Sequence, residues 1–111
     1  MPKKKIFISS VQSEFVVERQ GLYDYIIADP LLGRFFESFL FERLPASDQR
    51  VDSIYLREVE HCHIYLGLFG KSYGYADNEG ISPTEREFDK ASEFHKTRLI
   101  FLFLSLRIYS I

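Results

Sequence analysis

Residues 70–94 read GKSYGYADNEGISPTEREFDKASEF. An apolar run enters this stretch, a loop rich in Gly and Tyr follows, and a capped helix leaves it. At the helix start, Ser82 can accept a bond from the first free N–H groups, Pro83 suits the first helical position, and Glu85 can reach back to close a capping box. At about 100° per residue, Glu87, Ala91 and Phe94 fall on one side of this helix, and Glu85, Asp89 and Lys96 on the other. A carboxyl on the apolar side of a helix, just past the loop at a strand's end, stands where an α/β fold gathers its functional groups.

Working outward, the run HCHIYLGLFG (61–70) before the loop is the most β-like in the chain, and TRLIFLFL (97–104) after the helix is a second strand, almost wholly apolar. At the N-terminus, Lys4–Ser10 (KKIFISS) is a strand whose continuous Ile6-Phe7-Ile8 run implies cover on both faces. A helix over about 13–28 follows. Phe15, Leu22 and Ile26 recur in it at helical spacing, as do Val16, Tyr23 and Ile27, and Asp29-Pro30 ends it. Residues 33–42 (GRFFESFLFE) read as a strand, 43–50 as a polar connection, and 51–60 as a helix with Val51, Ile54, Tyr55 and Val59 on one side.

The alternation β-α-β-α-β-α-β implies a three-layer α/β fold with a four-stranded parallel sheet and right-handed crossovers. A flavodoxin-like winding gives strand order 2-1-3-4. The ligand crevice then lies at the carboxyl ends of strands 1 and 3, where Ser9, Ser10 and the 70–74 turn fall. The fourth strand is followed by a short tail (105–111) and no further helix. The expectation is a domain over 4–104 that lacks its last helix and strand, with its outer strand covered by a partner chain or by a continuation of the protein.

Composition narrows the function classes. The 111 residues suffice for one core, and 46% apolar with 16% aromatic content is that of a globular domain. A net charge of −2 gives no basic field for nucleic acid. The single cysteine, Cys62, excludes an intrachain disulfide and points to a reducing cytoplasm. The apolar run at 6–8 is too short for a signal peptide, and that at 99–106 too short to span a bilayer.

Taken together, KIFISS with Glu18-Arg19 in the next helix, PASDQ at 45–49, HIYLGLFGKSYG at 63–74 and GISPTEREF at 80–88 with Ala91 resemble a TIR-like family of bacterial domains of unknown function. The similarity covers about residues 4–103. Members of that family usually sit at the N-terminus of larger proteins, including STAND-type NTPases and transcriptional regulators with a Schlafen/AlbA-type domain. The resemblance implies a fold related to TIR domains and nucleoside 2-deoxyribosyltransferases, which place a glutamate on a helix bordering the crevice and use it on an N-glycosidic bond. The glutamate-to-alanine spacing of the latter matches Glu87 and Ala91.

The candidate residues follow from position and type. Glu87 is placed to attack or stabilise the anomeric carbon of a nucleotide ribose, or else to pair with a nearby Arg or Lys at the layer boundary. Glu85 belongs to the cap. Ser9 and Ser10 are placed to hold a phosphate or a ribose hydroxyl, or one of them, or Ser13, caps the next helix. Lys71, Ser72 and Tyr73 are placed to close over a base or phosphate, or Tyr73 packs the loop down. Gly70 and Gly74 serve turn geometry. Asp48 follows the second strand, in reach of the crevice or simply in a helix-entry loop. His61-Cys62-His63 lacks the further ligands a metal site needs, and neither a GxGxxG nor a GxxxxGK[ST] pattern occurs. Phe35, Phe36, Phe39, Phe41, Phe101 and Phe103 read as core, or in part as a self-association surface.

Two functions follow. The first is a sensing or self-assembling module, homo-oligomeric and attached to a downstream NTPase, DNA-binding or effector domain, with no membrane and no direct nucleic-acid contact. The second is an NAD or nucleoside glycohydrolase or transferase using Glu87. No cofactor is implied with certainty; NAD or a nucleotide is the expected ligand class.

Overall fold

The computed structural model of the chain describes residues 2–11, 14–39, 52–71, 76 and 78–103. The order is β1 (Lys4–Ser10), α1 (Val16–Ala28), α2 (Leu32–Phe35), β2 (Phe36–Phe39), α3 (Asp52–His61), β3 (Ile64–Phe69), α4 (Pro83–Glu93) and β4 (Thr97–Leu102). The four strands form one all-parallel sheet in the order β2-β1-β3-β4. This is the expected α/β, flavodoxin-like arrangement, with the reversal of winding between β1 and β3. Ser9 pairs in register with Gly67 and Ser10 with Leu68, so both serines end β1 beside the last turn of β3. No helix of the described residues is long and apolar enough to cross a membrane.

Strand alternation sorts the core into two apolar layers. Ile6, Ile8 and Leu68 meet Phe15 and Ile26 from α1 and the residue before it. On the other face, Phe7 and Tyr65 meet Val59 of α3, Cys62 just after it, and Ala91 of α4. Both faces of β1 are thereby buried, as its unbroken apolar run requires. Of the two apolar sets in α1, that of Phe15, Leu22 and Ile26 faces the sheet. Val16 and Ile27 are exposed.

Several expectations are corrected. Residues 33–35 are helical, and β2 begins only at Phe36. The cause is Asp29, whose side-chain oxygen accepts the N–H groups of Leu31 and Leu32 at 2.9 and 2.8 Å and so starts a new turn after Pro30. Gly33 packs there so tightly that a Cβ would lie 2.8 Å from the Ile27 carbonyl oxygen. α1 begins at Val16, and its N-cap position, Phe15, makes no side-chain cap bond, so neither Ser9 nor Ser10 serves as the cap. His61 ends α3 instead of opening β3. Phe94 lies outside α4 and is exposed, because the chain turns into a Schellman ending: His95 takes φ 55°, its N–H bonds Ser92 O at 3.2 Å, and Lys96 N–H bonds Ala91 O at 2.9 Å.

The aromatic set is less buried than a core would be. Phe35 is 45% and Phe101 51% exposed, and every residue of β4 is exposed. The reason is position: β4 is an edge strand, flanked in the sheet by β3 alone. Phe36 is half-buried against the first layer; Phe39 and Phe41 carry side chains outside the description.

Candidate active site at the carboxyl edge of the sheet

α4 starts as its sequence dictates. Ser82 takes an extended conformation and its Oγ accepts the N–H of Glu85 at 3.2 Å, with Pro83 in the first turn. This fixes the phase of the helix, which turns Glu87 and Ala91 inward. Glu87 is 3% exposed. Its Oε1 accepts a hydrogen bond from Ser9 Oγ at 2.6 Å, a length typical of a hydroxyl donating to a charged oxygen. A residue of the first strand and one of the last helix, 78 positions apart, thus meet where the sheet reverses its winding.

Two further buried polar groups back this pair. Arg19 of α1 is fully buried and donates to Ser10 Oγ at 2.8 Å and to the Ile8 carbonyl at 3.2 Å, gripping the end of β1 from the opposite face. Tyr65 of β3 is also fully buried, stacked beside Phe7 with ring centroids 6.3 Å apart and tilted against Phe88 at 6.0 Å. Its hydroxyl has no hydrogen-bond partner in good geometry. Burial pushes the Tyr65 phenol well above its usual range; the adjacent Ser9 hydroxyl works against that and the Glu87 carboxyl adds to it. The Ser9 influence marks proximity, and the distance and angle between the two hydroxyls do not make a hydrogen bond.

The rim is built by Glu14, whose carboxyl accepts the Lys71 N–H at 2.7 Å and so ties the β1–α1 connection to the end of β3. At Gly70 a Cβ would meet that carboxyl, so a larger residue there would displace the Glu14 side chain from Lys71. A cavity of about 240 Å³ opens at this edge, lined among others by Val11, Gly70, Ser82, Thr84 and Phe88. Glu87 is not in that lining. The space it does line, with Tyr55, Leu56, Pro83 and Arg86, is about 10 Å³, room for one water at most.

Of the residues named from sequence, Ser9 and Glu87 meet at the carboxyl end of β1, Ser10 points to the opposite face of the sheet, and Lys71 stands exposed at the end of β3. Ser72, Tyr73 and Asp48 lie outside the described residues. Ser10 is engaged by Arg19, so the hydroxyl nearest the carboxyl is that of Ser9. None of Arg19, Tyr65 and Glu14 is among the candidate residues named from sequence, although Glu18-Arg19 and the run that holds Tyr65 carry the family resemblance. Arg19 shares the phase of Phe15, Leu22 and Ile26, and Tyr65 that of Gly67 and Phe69; both were legible from periodicity. No local signal marks Glu14. At the far end of the sheet, His63 Nδ1 accepts the Lys5 N–H at 2.9 Å and His61 Nδ1 lies 2.8 Å from the Arg57 carbonyl. Burial pushes the Cys62 thiol above its usual range. Among the described residues, no group of three or more His, Cys, Asp or Glu side chains is arranged to hold a metal ion.

The fold and this buried serine–carboxyl pair define a three-layer, flavodoxin-like α/β domain with its polar groups at the topological switch point. The chain belongs to the family described as Domain of unknown function (DUF4062), whose model matches residues 5–107. Among solved structures, it is similar to a 2-desoxiribosyltransferase from Leishmania mexicana, at 13% identity and a TM-score of 0.62, over 89% of this chain. The chain spans 64% of that protein's length. It is likewise similar to the Clostridium botulinum CMP N-glycosidase BcmB, at 14% identity and a TM-score of 0.57, covering 89% of this chain and 71% of that one. At these identities the likeness shows the fold. No curated protein matches the sequence.

Proposed function

We propose that this domain acts on the N-glycosidic bond of a nucleoside or nucleotide, with Glu87 as the carboxyl that engages the anomeric carbon. The observation that carries the reading is the buried Glu87–Ser9 pair at the carboxyl ends of β1 and β3. A carboxylate in largely apolar surroundings stabilises positive charge developing on the sugar and is able to attack it as the base leaves with the bond's electrons, once the space of about 10 Å³ that Glu87 lines widens to admit the sugar. Ser9 fixes the orientation of the carboxyl. Ser10, through Arg19, fixes the strand end that carries Ser9, and Lys71 offers a cation at the rim for a phosphate. Two proteins of similar fold are named for chemistry on this bond class, which supports the reading. NAD, a 2′-deoxyribonucleoside and CMP are the ligands to try first.

The test is a panel of these three compounds incubated with the purified chain, with release of nicotinamide or free base followed by chromatography. Release from at least one is expected. No release from any of them at high protein concentration contradicts the reading.

A second reading is favoured by a different observation. β4 presents Leu99, Ile100, Phe101 and Leu102 at the sheet edge, all exposed, an arrangement suited to assembly. In that reading the domain self-associates and signals to an attached downstream domain, as in the TIR-like regulators it resembles. The two readings are compatible, since assembly would bring copies of the crevice together.

A further inference from the structure

Two buried hydroxyls stand side by side at the site with complementary needs. Ser9 Oγ donates to Glu87, and as a hydroxyl oxygen it is also able to accept. Tyr65 Oη is a donor with no acceptor. They lie on the same face of adjacent strands, since Phe7 pairs with Tyr65 and Ser9 follows Phe7 by two residues. An unsatisfied hydroxyl in a fully buried position is destabilising and calls for a structural explanation.

We propose that Tyr65 is a positioning residue for Glu87, its hydroxyl donating to Ser9 Oγ so that Ser9 in turn donates more strongly to the carboxyl. This rests on the reading of Glu87 as the working group of the crevice. The ring is already held by Phe7 and Phe88, so forming the missing bond asks for a small tilt of the phenol and a rotation of two hydroxyl hydrogens. A donor polarised by a second donor stabilises an ionised acceptor more than one acting alone. Tyr65 remains protonated through neutral pH, because burial opposes its ionisation. Among the described residues, the other charged or titratable groups facing this cluster are Tyr55 of α3, Cys62, and Arg86 and Asp89 of α4; β1 contributes the Ser9 hydroxyl.

The experiment is a carbon-13 NMR titration of the Glu87 carboxyl in the unliganded chain and in three variants: Tyr65→Phe, Ser9→Ala and the pair combined. Tyr65→Phe removes one oxygen and leaves the ring packing intact. It is expected to move the titration midpoint to higher pH by roughly half a unit. In the Ser9→Ala background, the same substitution is expected to move it no further. An unchanged midpoint in Tyr65→Phe overturns the proposal, as does an equal shift with Ser9 absent, which would mean that Tyr65 acts directly. The titration needs no turnover. A chain silent toward every nucleoside probe therefore contradicts the proposed activity and leaves this measurement to judge Tyr65.

Discussion

Arg19 and Tyr65 show how far single residues were open to reading. Glu87 was visible from helical phase because its neighbours at that phase, such as Ala91, are apolar and an acid among them stands out. Arg19 lies at the same kind of position in α1 but is long and flexible, and such side chains usually leave the core by extending to solvent. Nothing local says that this one folds back onto Ser10 and the Ile8 carbonyl. Arg19→Ala is expected to lower stability by roughly 3 kcal/mol, since it leaves a cavity and strips buried acceptors of their donor. Chemical denaturation measures this. Tyr65 makes a second test, in alkali. Its phenol is held above the ordinary value of 10.0 in the folded chain. Above that pH the unfolded chain releases a proton that the folded chain retains, so stability falls as pH rises. Tyr65→Phe is expected to reduce this alkaline loss, read as a flatter dependence of the denaturation midpoint on pH from 10 upward.

The elements were legible in proportion to how local their causes are. The start of α4 is written in Ser82 and Pro83, and the helix begins where they place it. Ser82→Ala is expected to cost about 1 kcal/mol, measured by thermal or denaturant unfolding. α4 ends at Glu93, short of Phe94 and Lys96, which the helical wheel places on it, because a left-handed turn at a histidine carries no sequence signal of the kind a glycine gives. His95→Gly is accordingly expected to stabilise the fold by up to about 1 kcal/mol in the same assay. The second strand failed for a related reason. Its aromatic run has strand propensity, but Asp29 caps a helical turn through residues 32–35 before the strand begins. Propensity is a weak guide where a side chain supplies the backbone with an alternative set of bonds.

For the whole molecule, the alternation of strands and helices sufficed for the sheet order, because parallel crossovers have one favoured hand and a strand buried on both faces must lie inside the sheet. β4 takes the outer place that the order 2-1-3-4 assigns to it, and this edge leaves Leu102 69% exposed. Leu102→Lys is expected to leave the stability of the isolated domain within about 0.5 kcal/mol, because little apolar contact is lost. Under the assembly reading it also lowers the apparent mass of any oligomer in light scattering. The central claim concerns the other end of the strands, where Glu87 and Ser9 meet. It is tested most directly by comparing Glu87→Gln with the unaltered chain on the nucleoside or nucleotide that the latter cleaves. Matched circular dichroism spectra would establish that both are folded. A fall in base release of at least about a thousandfold is predicted, on the scale of removing a group that acts at the reacting carbon. Equal release by the two proteins would contradict the account.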